Sequence, residues 1–176
     1  MPEELSPLIA ATAQWLTGAY PASGGALANV LCEMQARQAV TVAAWLRYPT
    51  PMDAALVGMA GPGGSARLDW ITGADGVQGG DPDSSAWRSW VDEVVASWAA
   101  CLLTDPELAG RAVAAVVAGE HATGAPPAEF RRLVTPDEND RRAAALLRHP
   151  DLVGPVAALH HAQLRDRLEQ GPARAA

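Results

Sequence analysis

"VTPDENDRRAAALL", residues 134–147, sets three carboxylates and an amide in consecutive positions, Asp137-Glu138-Asn139-Asp140, directly before Arg141 and Arg142. Two readings compete for this stretch: a metal cage or catalytic carboxylate cluster, or the first turn of a helix. The order of residue types favours the helix. Thr135 suits the N-cap, where a side-chain oxygen accepts from an orphan amide. Pro136 suits the first helical position, because its missing N–H would be unpaired there in any case. Glu138 then falls three residues after the cap, which makes a capping box, and Asp137 and Asp140 lie where the helix dipole favours negative charge.

The same grammar recurs along the chain. Ser6-Pro7, Thr50-Pro51 with Asp53, Thr104 with Pro106 and Glu107, and Pro150-Asp151 each mark a helix start. Read outward from these signals, helices are expected at about 6–18, 24–47, 51–59, 84–103, 105–119, 127–133, 136–148 and 151–169. The expected fold is therefore all-α, a compact bundle of about six to eight helices. One helical domain over 1–170 carries a Gly-rich loop at 61–83 and ends in a frayed tail at 171–176. The stretch "GALANVLCEMQARQAVTVAAWLRY", residues 25–48, is apolar nearly all round in its second half and is expected at the centre. Between Gly61 and Asp81 seven glycines interrupt the periodicity. There "ARLDWIT" (66–72) alternates weakly and "GADG" follows as a turn, which leaves room for one short β-hairpin within 61–83.

Bulk properties narrow the function. A chain of 176 residues and 18.3 kDa hides roughly 70% of its unfolded-state surface on folding, enough for a real core. With 49% hydrophobic against 19% charged residues, extensive disorder is not expected. No apolar run approaches the ~20 residues of a membrane span, and "MPEELSP" is acidic where a secretory signal is positive, so no membrane partner and a cytoplasmic location are expected. The net charge is -7 and the thirteen basic residues are scattered, which argues against a nucleic-acid partner. The chain has no lysine. That removes Schiff-base chemistry, the phosphate-gripping lysine of a P-loop and any lysine general base. Cys32 and Cys101 lack CxxC spacing and read as buried free thiols.

Few constellations carry chemistry. No HxxxH or ExxH pair lies on any one helix, so no metal and no cofactor are expected. There is no GxSxG elbow, and "AGPGGSA" lacks the GxGxxG pattern and a following lysine. Glu33 and Arg37, one turn apart beside Gln35 and Gln38, read as a solvated stripe; a buried Glu33 is what an enzyme would require. His160 falls on the stripe Val153, Val156, Leu164 and Leu168, at the edge of the core. The least ordinary feature is six tryptophans against one phenylalanine and two tyrosines. Trp87, Trp90, Val94, Trp98 and Cys101 recur at three- and four-residue steps, a broad face of the expected helix 84–103. Most indoles should fill core space, leaving two or three as anchors of an interface or walls of a cleft.

These features lean away from an enzyme. The leading expectation is a soluble, non-enzymatic helical binding or adaptor protein that presents its Trp-bearing helix face to a protein partner or to itself, as a homodimer. The alternative, from a different class, is a small apolar-ligand-binding protein or auxiliary enzyme with a Trp-lined pocket. Candidate binding residues are Trp70, Trp87, Trp90, Trp98, Glu33, Arg37 and His160, with no catalytic residue assigned.

Overall fold

The computed structural model describes residues 5–74, 82–119, 121 and 127–170. Within these there is no strand. The helices run in the order α1 (Ser6–Ala19), α2 (Ala26–Arg47), α3 (Pro51–Ala60), α4 (Ala66–Thr72), a 3₁₀ segment (Pro82–Trp90), α5 (Glu93–Thr104), α6 (Pro106–Val117), a second 3₁₀ segment (Pro127–Phe130), α7 (Arg131–Val134), α8 (Glu138–Ala143), α9 (Pro150–Ala157) and α10 (His161–Glu169). None of the described helices is long and apolar enough to cross a membrane.

The centre is α2, as its apolar second half demands. Every residue from Ala39 to Leu46 is buried, and α1, α5, α6, α7 and α8 all pack on it. Its main partner is α5, buried without interruption from Val95 to Leu103. Alanine makes up much of both buried surfaces beside Trp45, Trp98, Leu102 and Leu103, and further bulky residues come from elsewhere: Leu5, Leu8, Leu16, Phe130, Leu133, Leu147 and Leu164 are fully buried around the pair.

Proline-marked starts appear near the positions the residue types require, with three changes of register, the first at α1, where Ser6 is the first helical residue and the cap position is Leu5 without a side-chain bond. Thr50 accepts from Asp53 N while the Asp53 carboxylate accepts from Thr50 N, the expected capping box of α3. At α6 the cap is Asp105 rather than Thr104, with Asp105 Oδ1 accepting from Glu107 N and Leu108 N. In the opening stretch the cap is Asp137 and not Thr135. Asp137 and Asp140 close a reciprocal box, and α8 begins at Glu138. Both registers satisfy the capping pattern locally; the observed one turns Asp140 inward, where it is fully buried and meets Arg132.

The expected helix number is too low, and the expected hairpin is not found among the described residues. Residues 66–72 are the helix α4, stopped by Gly73 in the left-handed conformation at φ 71°. Gly73 is thus a helix C-cap rather than part of a hairpin turn. Residues 82–90 are 3₁₀, while 75–81, like the tail at 171–176, lie outside the described residues. Two expected long helices are each cut in two by side chains that bind the backbone. Asp92 interrupts 84–103: its backbone is extended, Oδ1 accepts from Val95 N, and Oδ2 accepts from the Tyr48 hydroxyl. Residues 151–169 break after Ala157. There Ser97 donates to Ala157 O, His160 N donates to Ser97 Oγ, and Trp98 Nε1 donates to His160 O. Ser97 of α5 thereby satisfies the Ala157 carbonyl and the His160 amide that a continuing helix would have paired, while His160 O also accepts from Leu164 N.

Candidate functional site

The carboxylates of 137–140 converge on backbone amides and guanidinium groups. Asp140 accepts from Arg132 and from Asp137 N. Beside it Arg148 is held by three acceptors, Gln35 Oε1, Leu103 O at 3.0 Å and Arg132 O at 2.8 Å. Gln35, fully buried in mid-α2, returns a bond from Nε2 to Asp140 O at 2.9 Å. Burial pulls Arg148 down to about 10, and the Asp140 charge opposes that shift. The network clamps α2, α5, α7 and α8 together. Among the described residues no three His, Cys, Asp or Glu side chains are placed to hold a metal ion.

The sequence-selected residues do not form one site. Trp98 is in the core, its N–H bonded to His160 O at 3.1 Å. Trp87 and Trp90 are half-buried on the 3₁₀ segment, with the Arg88 guanidinium 5.4 Å above the Trp87 ring. Trp70 stands 72% exposed on α4. Glu33 and Arg37 are both exposed on the first half of α2. His160 is half-buried at the core edge, with Nε2 2.8 Å from Glu93 Oε1. Arg67 reaches the same Glu93 oxygen at 3.2 Å. Only Trp98 and His160 are brought together.

Two polar hubs have little or no local signal in the sequence. Glu93 is one, on the first turn of α5. Asp69 is the other: it accepts from Trp15 Nε1 at 2.9 Å, Ser65 Oγ at 3.1 Å and Arg88 at 2.8 Å, which joins α1, α4 and the 3₁₀ segment. The sequence signal for Glu93 was Asp92 followed by an apolar run, a helix start without a proline. Asp69 carried no local signal, since all its partners but Ser65 are distant in sequence.

None of these groups is arranged for nucleophilic chemistry. Burial pushes the Cys101 thiol up to about 11 and raises that of Cys32 as well, although Arg148 partly offsets the latter. A reactive cysteine requires the opposite shift. Ser97 Oγ lies between a backbone carbonyl and a backbone amide and is not bonded to the His160 ring. The Tyr48 phenol is raised by burial and by its bond to Asp92.

Unengaged capacity lies on apolar surface. On α3, Met52, Leu56 and Met59 are 70%, 53% and 78% exposed, while only Ala54 and Val57 are buried. Leu27, Val30 and Met34 make a second exposed stripe on the first half of α2. Separately, a cavity of about 500 Å³, open to solvent, lies between α6, the second 3₁₀ segment and α7. Its walls are Val113, Val117, Phe130 and Val134, with Gly110 at one side and Arg131 and Thr135 among its lining. No tryptophan lines it. No family model, curated protein or solved structure matches this chain.

Proposed function

We propose that this protein is a non-enzymatic helical interaction module that self-associates through α3. The observation that carries this reading is the mismatch between what α3 is made of and what it buries. Its sequence, "PMDAALVGMA", has a single charged residue, Asp53, and that carboxylate is committed to the capping box. A helix apolar on all sides belongs in an interior, yet α3 is buried only along Ala54 and Val57. The three methionines of the described residues, Met34, Met52 and Met59, are all exposed. Methionine is normally among the more buried residue types, and its flexible thioether side chain suits surfaces that repack against a partner.

A two-fold axis beside α3 would set Met52, Leu56 and Met59 against the same residues of a second copy, since such an interface is self-complementary. A helix of 10 residues is only ~15 Å long. That falls short of the ~800 Å² per partner of a standard stable interface, so the expected dimer is weak and concentration-dependent. The Trp-bearing face is not the best candidate, because Trp98 lies in the core and Trp15 and Trp98 already bond their N–H groups internally.

The test is light scattering with size-exclusion chromatography over a range of concentrations, on the wild type and on Leu56→Glu. The wild type is expected to shift from monomer toward dimer, and the variant to remain monomeric with an unchanged melting temperature. A wild type that stays monomeric at the highest attainable concentration overturns self-association, as does a Leu56→Glu variant that dimerises equally well.

A further inference from the structure

The α6–α7 cavity offers binding capacity of a different kind from α3. Its walls, Val113, Val117, Phe130 and Val134, are hydrocarbon, and its volume of about 500 Å³ falls inside the ~300–1,000 Å³ typical of small-molecule sites. Two observations go beyond shape. The first is Gly110 in mid-α6. Its backbone is not in the left-handed region, and an added Cβ would meet only Val134 Cγ1, at an ordinary 3.9 Å. Neither conformation nor close packing requires glycine there, and alanine would favour the helix. What the missing side chain does is leave the wall open.

The second is the charge in the lining. Arg131 is exposed, and its guanidinium pairs with no carboxylate among the described residues. The neighbouring Arg132 differs in this respect, being tied to Asp140. Asp137 is near enough for both arginines to lower its pKa, but its carboxylate is engaged by the Asp140 and Asn139 amides. An apolar chamber with one planar cation in its lining is complementary to a ligand with a hydrocarbon body and a carboxylate head, which the guanidinium can grip through two parallel hydrogen bonds.

From this geometry we infer that the cavity between α6 and α7 binds a small amphipathic carboxylate, its chain against Val113, Val117, Phe130 and Val134 and its head at Arg131. The inference is independent of α3 and survives or fails separately from self-association.

The probe is decanoate, titrated calorimetrically into the full chain, with decylamine as the control of equal chain and opposite charge. Saturable one-to-one binding of decanoate is expected, with decylamine binding at least about tenfold more weakly. Gly110→Leu should abolish binding by filling the wall. Arg131→Gln should weaken it about tenfold, the size of one lost charge-assisted contact. Because Gly110→Leu perturbs a helix interior, Ala114→Leu on the exposed margin of the same cavity serves as a second blocking variant. Absence of saturable decanoate binding overturns the inference. So does undiminished binding in Ala114→Leu or in a folded Gly110→Leu, which would put the ligand elsewhere. Equal affinity for decylamine overturns the carboxylate head.

Discussion

Replacing Asp140 by alanine tests what the acidic stretch does. Its carboxylate is fully buried, pairs with Arg132 and closes the capping box by accepting from Asp137 N. Removing one member of a buried pair typically costs about 3–5 kcal/mol. Arg132 is 26% exposed and can recover some hydration, which points to the lower end. Adding the lost cap contact brings the expected loss to about 3–4 kcal/mol. For a domain of this size each kcal/mol moves the melting temperature by ~2–4 °C, so a fall on the order of 10 °C is expected. The assay is urea and thermal unfolding followed by circular dichroism, run on a series. Glu138→Ala should cost no more than about 0.5 kcal/mol, since the Glu138–Arg142 pair is 70% and 72% exposed. Thr135→Ala should be close to neutral, because its hydroxyl only donates to Arg131 O at 3.3 Å. Asp137→Ala should fall between these and Asp140→Ala. A Thr135→Ala loss equal to that of Asp137→Ala would mean that the helix starts at the earlier cap. Equal losses from Glu138 and Asp140 would mean that the carboxylates act as a set, and the clamp interpretation would be refuted.

Other outcomes follow from single contacts. Trp98→Phe should lose about 0.5–1.5 kcal/mol in denaturant melts by removing one of the two hydrogen bonds to His160 O, which also accepts from Leu164 N, whereas Trp70→Ala should change stability by no more than about 0.5 kcal/mol. Iodide quenching of tryptophan emission should act mainly on Trp70 and largely disappear in Trp70→Phe; strong residual quenching would place Trp87 or Trp90 in solvent. Alkaline pH should destabilise the protein. The Cys101 pKa is 9.0 in an unfolded chain and about 11 when folded, so its contribution is intact below pH 9 and lost as pH rises toward 11. Two units amount to about 2–3 kcal/mol. Cys32 and Tyr48 shift in the same direction, and urea midpoints at neutral and alkaline pH should converge in part for Cys101→Ala.

Much local chemistry was legible where its cause was local, although at α6 and α8 two local capping registers compete and the observed caps are Asp105 and Asp137. The Thr50–Asp53 box, the burial of α2 from Ala39 to Leu46 and the half-buried place of His160 follow from residue type and spacing alone. The breaks at Asp92 and after Ala157 did not, because their causes are far away in sequence. Asp92 is fixed partly by Tyr48 and by Thr12 Oγ1, which accepts from its amide. The break after Ala157 is supported by Ser97 and Trp98, about sixty residues earlier. Periodicity carries through both points because apolar residues continue on the same face, so pattern alone joins what tertiary hydrogen bonds separate. Buried Gln35 was obscured for the same reason: beside Glu33 and Arg37 it reads as part of a solvated stripe, and the partners that hold it in the interior, Arg148 and the Asp140 carbonyl, are far along the chain.

Tryptophan is a poor guide to free surface in this chain for a physical reason. A chain with one phenylalanine needs other large rings to fill its core, and a buried indole brings an N–H that usually finds an acceptor, Trp45 being an exception among the described residues. Trp15 finds Asp69, and Trp98 finds the His160 carbonyl at the helix break. These rings are thereby built into the tertiary structure and are poor candidates for a partner. Methionine carries no such donor and can remain on a surface without an internal bond. That difference sharpens the α3 proposal: if Met59 acts only by volume and apolarity, Met59→Leu should leave the dimer intact, since such swaps typically cost less than about 1.5 kcal/mol. Met59→Glu should dissociate it, because the substitution brings two like charges together across the two-fold axis. Comparable weakening by both substitutions would show that thioether contacts, rather than buried apolar surface, hold the interface.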